Sequence, residues 1–167
     1  MPKRVAPMTS FKTTIRINQP AEVIDQAFMD PANALHWTSD LERFEVVKGK
    51  PGEAGAIARL HYSQKGRTHV MEDVLESCEP GRRYVSRVSG GGMIARVETV
   101  LSPSAGGTDV TMIWSGTSES FVARLLLPFL RGMIKRRARA DLEKFKSLVE
   151  AHGASFPASP RPTRLHS

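Results

Sequence analysis

The stretch that decides the fold is "RLLLPFLRGMIKRRARADLEKFKSLVEA", residues 124–151. At about 100° per residue, one stripe of the segment 119–152 is mainly apolar and most charged side chains lie opposite it. The stripe holds Ala123, Leu127, Leu130, Ile134, Ala138, Asp141, Phe145, Leu148 and His152. This pattern predicts a long amphipathic helix that docks on a core, since the apolar run is too short and too charged to span a membrane.

The first turns of this helix differ from the rest, because "FVARLLLPFL" is apolar on nearly every side and contains Pro128. A proline inside a helix removes one hydrogen bond and bends it. We expect neighbouring loops to cover the second apolar face. The alternative is an exposed apolar patch near a pocket mouth. Further along, Arg137 and Asp141 have the spacing of an i,i+4 ion pair on the buried side.

Composition is that of a single globular domain with an uneven charge. Residues 1–118 carry 14 Lys/Arg and 13 Asp/Glu, whereas residues 119–167 carry 10 and 4. A basic run on a surface helix more often indicates a solvated face than a nucleic-acid site. The chain has one cysteine, Cys78, so no internal disulfide and no CxxC metal pair can form. The start, "MPKRVAPMTS", has no apolar signal-peptide core, and we expect a cytoplasmic protein.

The remaining elements follow from periodicity and turn residues. "SFKTTIRIN" (10–18) alternates, with Phe11, Thr13, Ile15 and Ile17 on one face, as in a half-buried strand. Two short helices follow, "PAEVIDQAFMD" and "DPANALHW". Six strands separated by short turns fill Leu41 to Thr117, with no room for crossover helices.

This order predicts an α+β fold in which a seven-stranded antiparallel sheet wraps around the long C-terminal helix, with two short helices after strand 1. We expect a flexible N-terminus over residues 1–9 and one domain over 10–152. The Pro/Ser/Arg-rich segment 153–167 has no periodicity and is expected to be disordered.

Three stretches carry a family resemblance: "IRINQPAEVIDQAFMDPANALHW", "KPGEAGAIARLHYSQKGRTHVMEDVLESCEPGRRYV" and "PFLRGMIKRRARADLEKFKSLVE". Over residues 10–152 the chain resembles the polyketide cyclase/dehydrase-like branch of the START/Bet v 1 superfamily, often called SRPBCC. The resemblance implies a helix-grip fold with a cavity between sheet and helix. Members typically bind hydrophobic small molecules such as lipids, sterols or polyketides. Some catalyse cyclisation or dehydration, and many have no known activity.

The hairpin around "QKG" sets which side chains face that cavity. A three-residue loop that ends on Gly66 would place 63 opposite 67 and 61 opposite 69. The more apolar face then includes Leu60, Tyr62, Val70 and Glu72, although a slip of one residue would re-pair the faces. The expected ligand contacts are Trp37, Leu60, Tyr62, Val70, Glu72, Tyr84, Trp114, Leu130 and Ile134.

Two polar features on these strands are candidates for chemistry. Desolvation would raise the pKa of Glu72 and suit it to act as a general acid or base, whereas the more ordinary interpretation is an ion pair with Arg96 or a place at the rim. In the same register His61 and His69 are cross-strand neighbours, with Asp73 as a weak third metal ligand. We favour an exposed histidine pair and expect no metal and no cofactor.

Three functions remain open at this point. The leading hypothesis is binding of a hydrophobic small molecule (lipid, sterol or polyketide-like), without catalysis. The second is a cyclase or dehydratase that uses Glu72. The third is an interaction module whose basic helix contacts anionic membranes or RNA. We expect no nucleic-acid partner, at most a weak contact of the helix with an anionic membrane, and a monomer or dimer.

Overall fold

The computed structural model describes residues 8–158, which form seven strands and three helices. The strands are β1 (Thr9–Ile17), β2 (Leu41–Lys48), β3 (Ile57–Gln64), β4 (Arg67–Glu79), β5 (Arg83–Gly90), β6 (Met93–Ser104) and β7 (Gly107–Ser118). The helices are α1 (Ala21–Met29), α2 (Pro31–Trp37) and α3 (Phe121–His152). The two short helices therefore follow β1, and the long helix follows the last strand, as predicted.

All seven strands belong to one antiparallel sheet with the order β1-β7-β6-β5-β4-β3-β2. Strands β2 to β7 are consecutive neighbours, and the first strand closes the order by pairing with the last. Helix α3 packs against this sheet, chiefly over β1 and β7. The predicted α+β helix-grip fold is confirmed.

Strand β1 shows how the sequence specifies one face of the sheet. Phe11, Thr13, Ile15 and Ile17 are buried, while the residues between them are exposed. The predicted alternation is confirmed, because a period of two places successive side chains on opposite faces.

Helix α3 is buried most deeply in its second half. Leu142, Phe145 and Val149 are at most 1% exposed and pack with Ile24 of α1 and Ile17 of β1. In the first half, only Leu127 is buried, in a smaller cluster with Phe11, Ala95 and Trp114. The helix is therefore held mainly through its C-terminal turns.

The opposite face of the first turns is open, so the expectation that loops cover it is wrong. Phe129 is 85% exposed, Phe121 67% and Val122 65%. Only Glu119 and Ser120 separate β7 from α3, so no connecting loop is available at this point to fold over the helix.

The hairpin between β3 and β4 corrects the predicted register by one residue. Its loop has two residues, Lys65 and Gly66, and both have positive φ (50° and 76°), as a type I′ turn requires. Gln64 pairs with Arg67, and the two strands stay in that register along their length. The inward face of β4 is therefore the one that carries His69, Met71, Asp73 and Leu75.

The chain after α3 stays packed for several residues within the segment expected to be disordered. The Asn33 amide donates to the carbonyl oxygens of Ala27 (3.1 Å) and Ala154 (2.8 Å), and its oxygen accepts from the Phe156 amide (3.1 Å). The Phe156 ring meets Phe145 edge-on at 6.1 Å. The rest of the tail, and residues 1–7, lie outside the described residues.

Replacing either of two glycines with alanine should change the free energy of unfolding, and the two changes should have opposite signs. Trp114 folds its indole ring over Gly116, so a β-carbon at that position would collide with the ring. We expect Gly116→Ala to lower the free energy of unfolding by about 1–3 kcal/mol, because an added methyl group overpacks a filled site.

Gly132 is the matched control, since a β-carbon there meets no atom within 4 Å. We expect Gly132→Ala to raise the free energy of unfolding by about 0.5–1 kcal/mol, because alanine favours the helix. Urea denaturation followed by circular dichroism measures both. A neutral Gly116→Ala variant would contradict the packing described here.

Candidate functional site

A cavity of about 470 Å³ lies between the inner face of the sheet and helices α2 and α3. This volume falls in the range of small-molecule sites. Most of its lining side chains are apolar. The polar ones are Thr38, Tyr62, His69, Asp73, Tyr84, Ser86, Thr99, Arg137 and Asp141. The arrangement suits an apolar molecule that carries one or two polar groups.

The structure brings six of the nine predicted contact residues to this cavity, namely Trp37, Leu60, Tyr62, Tyr84, Trp114 and Ile134. Val70 and Glu72 do not line it, because the two-residue turn places both on the exposed outer face of β4. Leu130 does not line it either and is 41% exposed. On the helix it lies about 60° from Leu127 and about 80° from Ala138, to one side of the buried stripe.

The same shift of register brings to the cavity three residues that the sequence pattern had placed on the opposite face of the strand. His69, Met71 and Asp73 line the cavity in place of Val70 and Glu72. The signal was the Lys65-Gly66 pair, since glycine in the second position of a two-residue hairpin loop is typical of a type I′ turn. Glu72 lies outside the cavity lining, and its expected ion pair with Arg96 is not formed, since Arg96 binds Glu98 at 3.0 Å instead.

Aromatic rings form one end of the cavity. Phe28 stacks on Trp37 with ring centres 5.8 Å apart and lies 5.3 Å from Tyr84. Trp37 in turn lies 5.1 Å from Phe145. At the other end Phe11 and Trp114 stack at 5.4 Å, which encloses the space between two aromatic clusters.

Trp37 leaves one polar atom without a partner. Its indole Nε1 is buried and has no hydrogen-bond acceptor among the described residues. A buried donor without an acceptor costs free energy, so an acceptor on a bound molecule would relieve it. A carbonyl or hydroxyl oxygen fits that need.

Asp73 is one of two carboxyl groups that line the cavity, the other being Asp141 on α3. Burial raises the pKa of Asp73 above its ordinary value, and a hydrogen bond from Ser86 only partly opposes this. Burial also raises the pKa of Tyr62 to about 12, with Arg137 opposing and Asp73 and Asp141 adding to it. The Tyr62 ring stacks on His69 at 5.1 Å. Asp73, Tyr62 and His69 thus form one polar wall on β3 and β4.

Arg137 and Asp141 line the cavity from α3, but they do not form the predicted ion pair with each other. Each binds the turn after α2 instead. Arg137 pairs with Asp40 at 3.2 Å and donates to the Ser39 carbonyl at 2.8 Å. Asp141 accepts from the backbone N–H of Ser39 at 3.2 Å and from its hydroxyl. Burial raises the pKa of Asp141 despite these bonds.

Tyr84 contributes its ring to the cavity, but its hydroxyl is already bonded. The hydroxyl donates to Asp25 and accepts from the Gly81 N–H at 3.1 Å. Burial, then the hydrogen bond to Asp25, raises its pKa. Tyr62 is therefore the better candidate for a hydrogen bond to a ligand.

The predicted histidine pair is not formed. His61 opposes Val70 and bonds Glu45 at 2.9 Å, whereas His69 opposes Tyr62. Within residues 8–158, no group of three or more His, Cys, Asp or Glu side chains is placed to hold a metal ion. Cys78 is a half-buried free thiol whose pKa burial raises. No helix in the described part of the chain is long and apolar enough to cross a membrane.

Replacing Asp73 with Asn tests the desolvated carboxyl. Because the folded-state pKa lies above the ordinary 3.8, folding favours the protonated form. The contribution of protonated Asp73 to the free energy of unfolding is fully present below pH 3.8. It is lost as the pH rises through the folded-state pKa. We expect Asp73→Asn to melt at a higher temperature than the wild type at pH 7.5, with the difference shrinking towards pH 4.

The control is Glu72→Gln, which removes the neighbouring carboxylate on the exposed face. Its melting temperature should follow that of the wild type at both pH values, since an exposed carboxylate keeps its hydration. Differential scanning calorimetry gives both comparisons. Equal pH profiles for Asp73→Asn and the wild type would refute the desolvation of Asp73.

Comparisons with known proteins agree with this architecture. A model of the family described as "Polyketide cyclase / dehydrase and lipid transport" matches residues 8–150. Among curated proteins no sequence match to this chain was found.

Solved structures share the fold at low sequence identity. Ara h 8.0201 is 14% identical with a TM-score of 0.73, covering 87% of this chain and 100% of its own. The Zhui aromatase/cyclase from Streptomyces sp. R1128 is 15% identical with a TM-score of 0.70, covering 84% and 93%. Protein CV1439 from Chromobacterium violaceum is 17% identical with a TM-score of 0.68, covering 84% and 96%. By its matched family model and this shared fold, the chain belongs to the polyketide cyclase/dehydrase and lipid transport family, within the SRPBCC superfamily.

Proposed function

We propose that the protein binds a neutral, largely apolar small molecule in the cavity between the sheet and α3. The observation that carries this proposal is the cavity itself, which combines about 470 Å³ of space and aromatic ends with two carboxyl groups, Asp73 and Asp141, whose pKa burial raises. Burial of apolar surface drives such binding, and the few polar groups orient the molecule.

The polar groups narrow the chemistry of the ligand. Trp37 offers an N–H donor, and Asp73 in its protonated form offers an O–H donor. Both suit a carbonyl or hydroxyl oxygen. A carboxylate ligand would be repelled by Asp141 and by Asp73 when ionised, and Arg137 in the lining is already paired with Asp40. The proposed class is therefore lipid-, sterol- or polyketide-like molecules with a neutral oxygen function.

The comparisons support this class without naming a ligand. The family description includes lipid transport, and one protein of similar fold is an aromatase/cyclase. The cytoplasmic location, the absence of a nucleic-acid partner and the monomer or dimer state remain predictions. The expected weak contact with an anionic membrane does not depend on the cavity and also remains a prediction.

A cyclase- or dehydratase-type reaction is the second candidate, and Asp73 favours it. A carboxyl group with a raised pKa in an apolar cavity can donate a proton to a carbonyl or accept one from an adjacent carbon. Tyr62, on the adjacent strand, would hydrogen-bond the same carbonyl. Asp73 takes the place of Glu72 in this candidate because only Asp73 lines the cavity.

Binding is tested by filling the cavity. Leu60 lines it, so Leu60→Trp should weaken binding of the neutral dye Nile red at least tenfold, because the indole takes up space that the dye needs. Fluorescence titration measures the affinity. Val70→Trp, on the exposed face of the neighbouring strand, should bind the dye as the wild type does. Unchanged affinity in a folded Leu60→Trp protein would contradict the proposal.

Catalysis is tested separately with a linear polyketide mimic and detection of the cyclised or dehydrated product. If the second candidate holds, Asp73→Asn should lose about 10²-fold or more in turnover and still bind Nile red, because the amide cannot transfer the proton. Glu72→Gln should keep full activity. Turnover that survives in Asp73→Asn would exclude Asp73 as the acid or base.

A further inference from the structure

A contiguous apolar patch covers the outer side of the first turns of α3. Seven large side chains, between 41% and 85% exposed, form this apolar patch: Phe121, Val122, Leu125, Leu126, Phe129, Leu130 and Met133. Scattered exposed apolar residues are normal on a protein surface, but a continuous set of this kind marks an interaction surface.

The patch is distinct from the cavity wall, although both belong to the same helical turns. Leu127, Ile134 and Ala138 face the interior, and the last two line the cavity. The patch lies roughly 150° away around the helix at about 100° per residue. Neither the core nor the proposed ligand site uses it.

The charge around the patch is of one sign. From Phe121 to Ala140 the helix carries six Arg or Lys residues and no Asp or Glu. Within the described part of the chain, Lys135 and Arg136 form no ion pair. Arg124 lies over the Phe121 ring with its guanidinium carbon 5.9 Å from the ring centre. A partner for this surface must accept apolar side chains and supply negative charge beside them.

An anionic lipid bilayer meets both requirements at once. A helix with Phe and Leu on one side and Arg and Lys at its border lies in the plane of the bilayer interface, with its apolar face at the boundary of headgroups and acyl chains. A second copy of the chain fits less well, because a two-fold contact through this surface would bring the basic helices together. A nucleic acid would leave the apolar side chains exposed.

We propose that the first half of α3 docks on anionic membranes, with the apolar patch inserted and with Lys135 and Arg136 on the headgroups. The helix lies on the membrane and does not cross it. Docking would place the bilayer against the outer side of the turns that carry the cavity residues Ile134 and Ala138.

The test is co-sedimentation of the full chain with vesicles of phosphatidylcholine containing phosphatidylglycerol, against vesicles of phosphatidylcholine alone. We expect binding to the anionic vesicles that weakens as salt is added, because exposed charges are screened. Leu125→Ser with Phe129→Ser should weaken binding at least tenfold. Val70→Ser, at an exposed apolar position on the sheet, should leave it unchanged.

Charge reversal tests the contribution of the basic residues Lys135 and Arg136 to membrane binding. Lys135→Glu with Arg136→Glu should lower affinity for anionic vesicles about tenfold or more. Lys48→Glu with Lys50→Glu, at exposed positions near the end of β2, changes the net charge equally and should bind as the wild type does or only slightly more weakly.

Three results would overturn the proposal. They are no binding to anionic vesicles at low salt, binding that survives Leu125→Ser with Phe129→Ser, and a lipid-free dimer of the wild type that this double variant converts to a monomer. The last result, from analytical ultracentrifugation, would identify a second copy as the occupant of the patch. All the substituted positions are exposed, so circular dichroism should show each variant folded.

Discussion

The structure depends on the packing of Phe145 in the second half of α3. Its ring is fully buried and contacts the rings of Phe28, Trp37 and Phe156 at centre distances of 6.0, 5.1 and 6.1 Å. This one side chain thereby joins α1, α2 and the chain after α3 to the long helix. Because the helix is anchored at this end, its first half can cover the sheet without filling the space beneath it. The cavity is the result of that uneven packing.

The elements of the fold follow from local patterns in the sequence. The period of two in β1 and the amphipathic stripe in α3 each predict an element whose burial the structure confirms, and short turns leave only an antiparallel order for the strands. These patterns are strong signals because a strand or helix with one buried face needs an apolar residue at every period along its length. The partners of Arg137 and Asp141 were not predictable in the same way. Both side chains bind the Ser39–Asp40 turn, which is about 100 residues away in sequence, and not each other.

The cavity wall was harder to predict because it depends on the length of one turn. Lys65 adopts positive φ, which is uncommon for a residue other than glycine, and this allows a two-residue loop where three residues were expected. A difference of one residue moves every side chain of β4 to the other face. Asp73 thereby replaces Glu72 in the cavity, and the physical argument for a desolvated carboxyl group applies to the neighbouring residue. The open face of α3 was only the alternative expectation for a related reason, since the sequence does not show which surfaces the loops reach.

The proposed function requires that an apolar molecule binds in this cavity and not on another apolar surface of the protein. Methyl-detected NMR distinguishes the two locations when Nile red is added to protein labelled at Ile, Leu, Val and Met methyl groups. We expect shifts at the methyl groups of Leu60, Met71, Met112 and Ile134, which line the cavity, and none at Val70 on the outer face of the sheet. Shifts confined to Leu125, Leu126 and Met133 on the outside of α3, or no shifts at all, would contradict it.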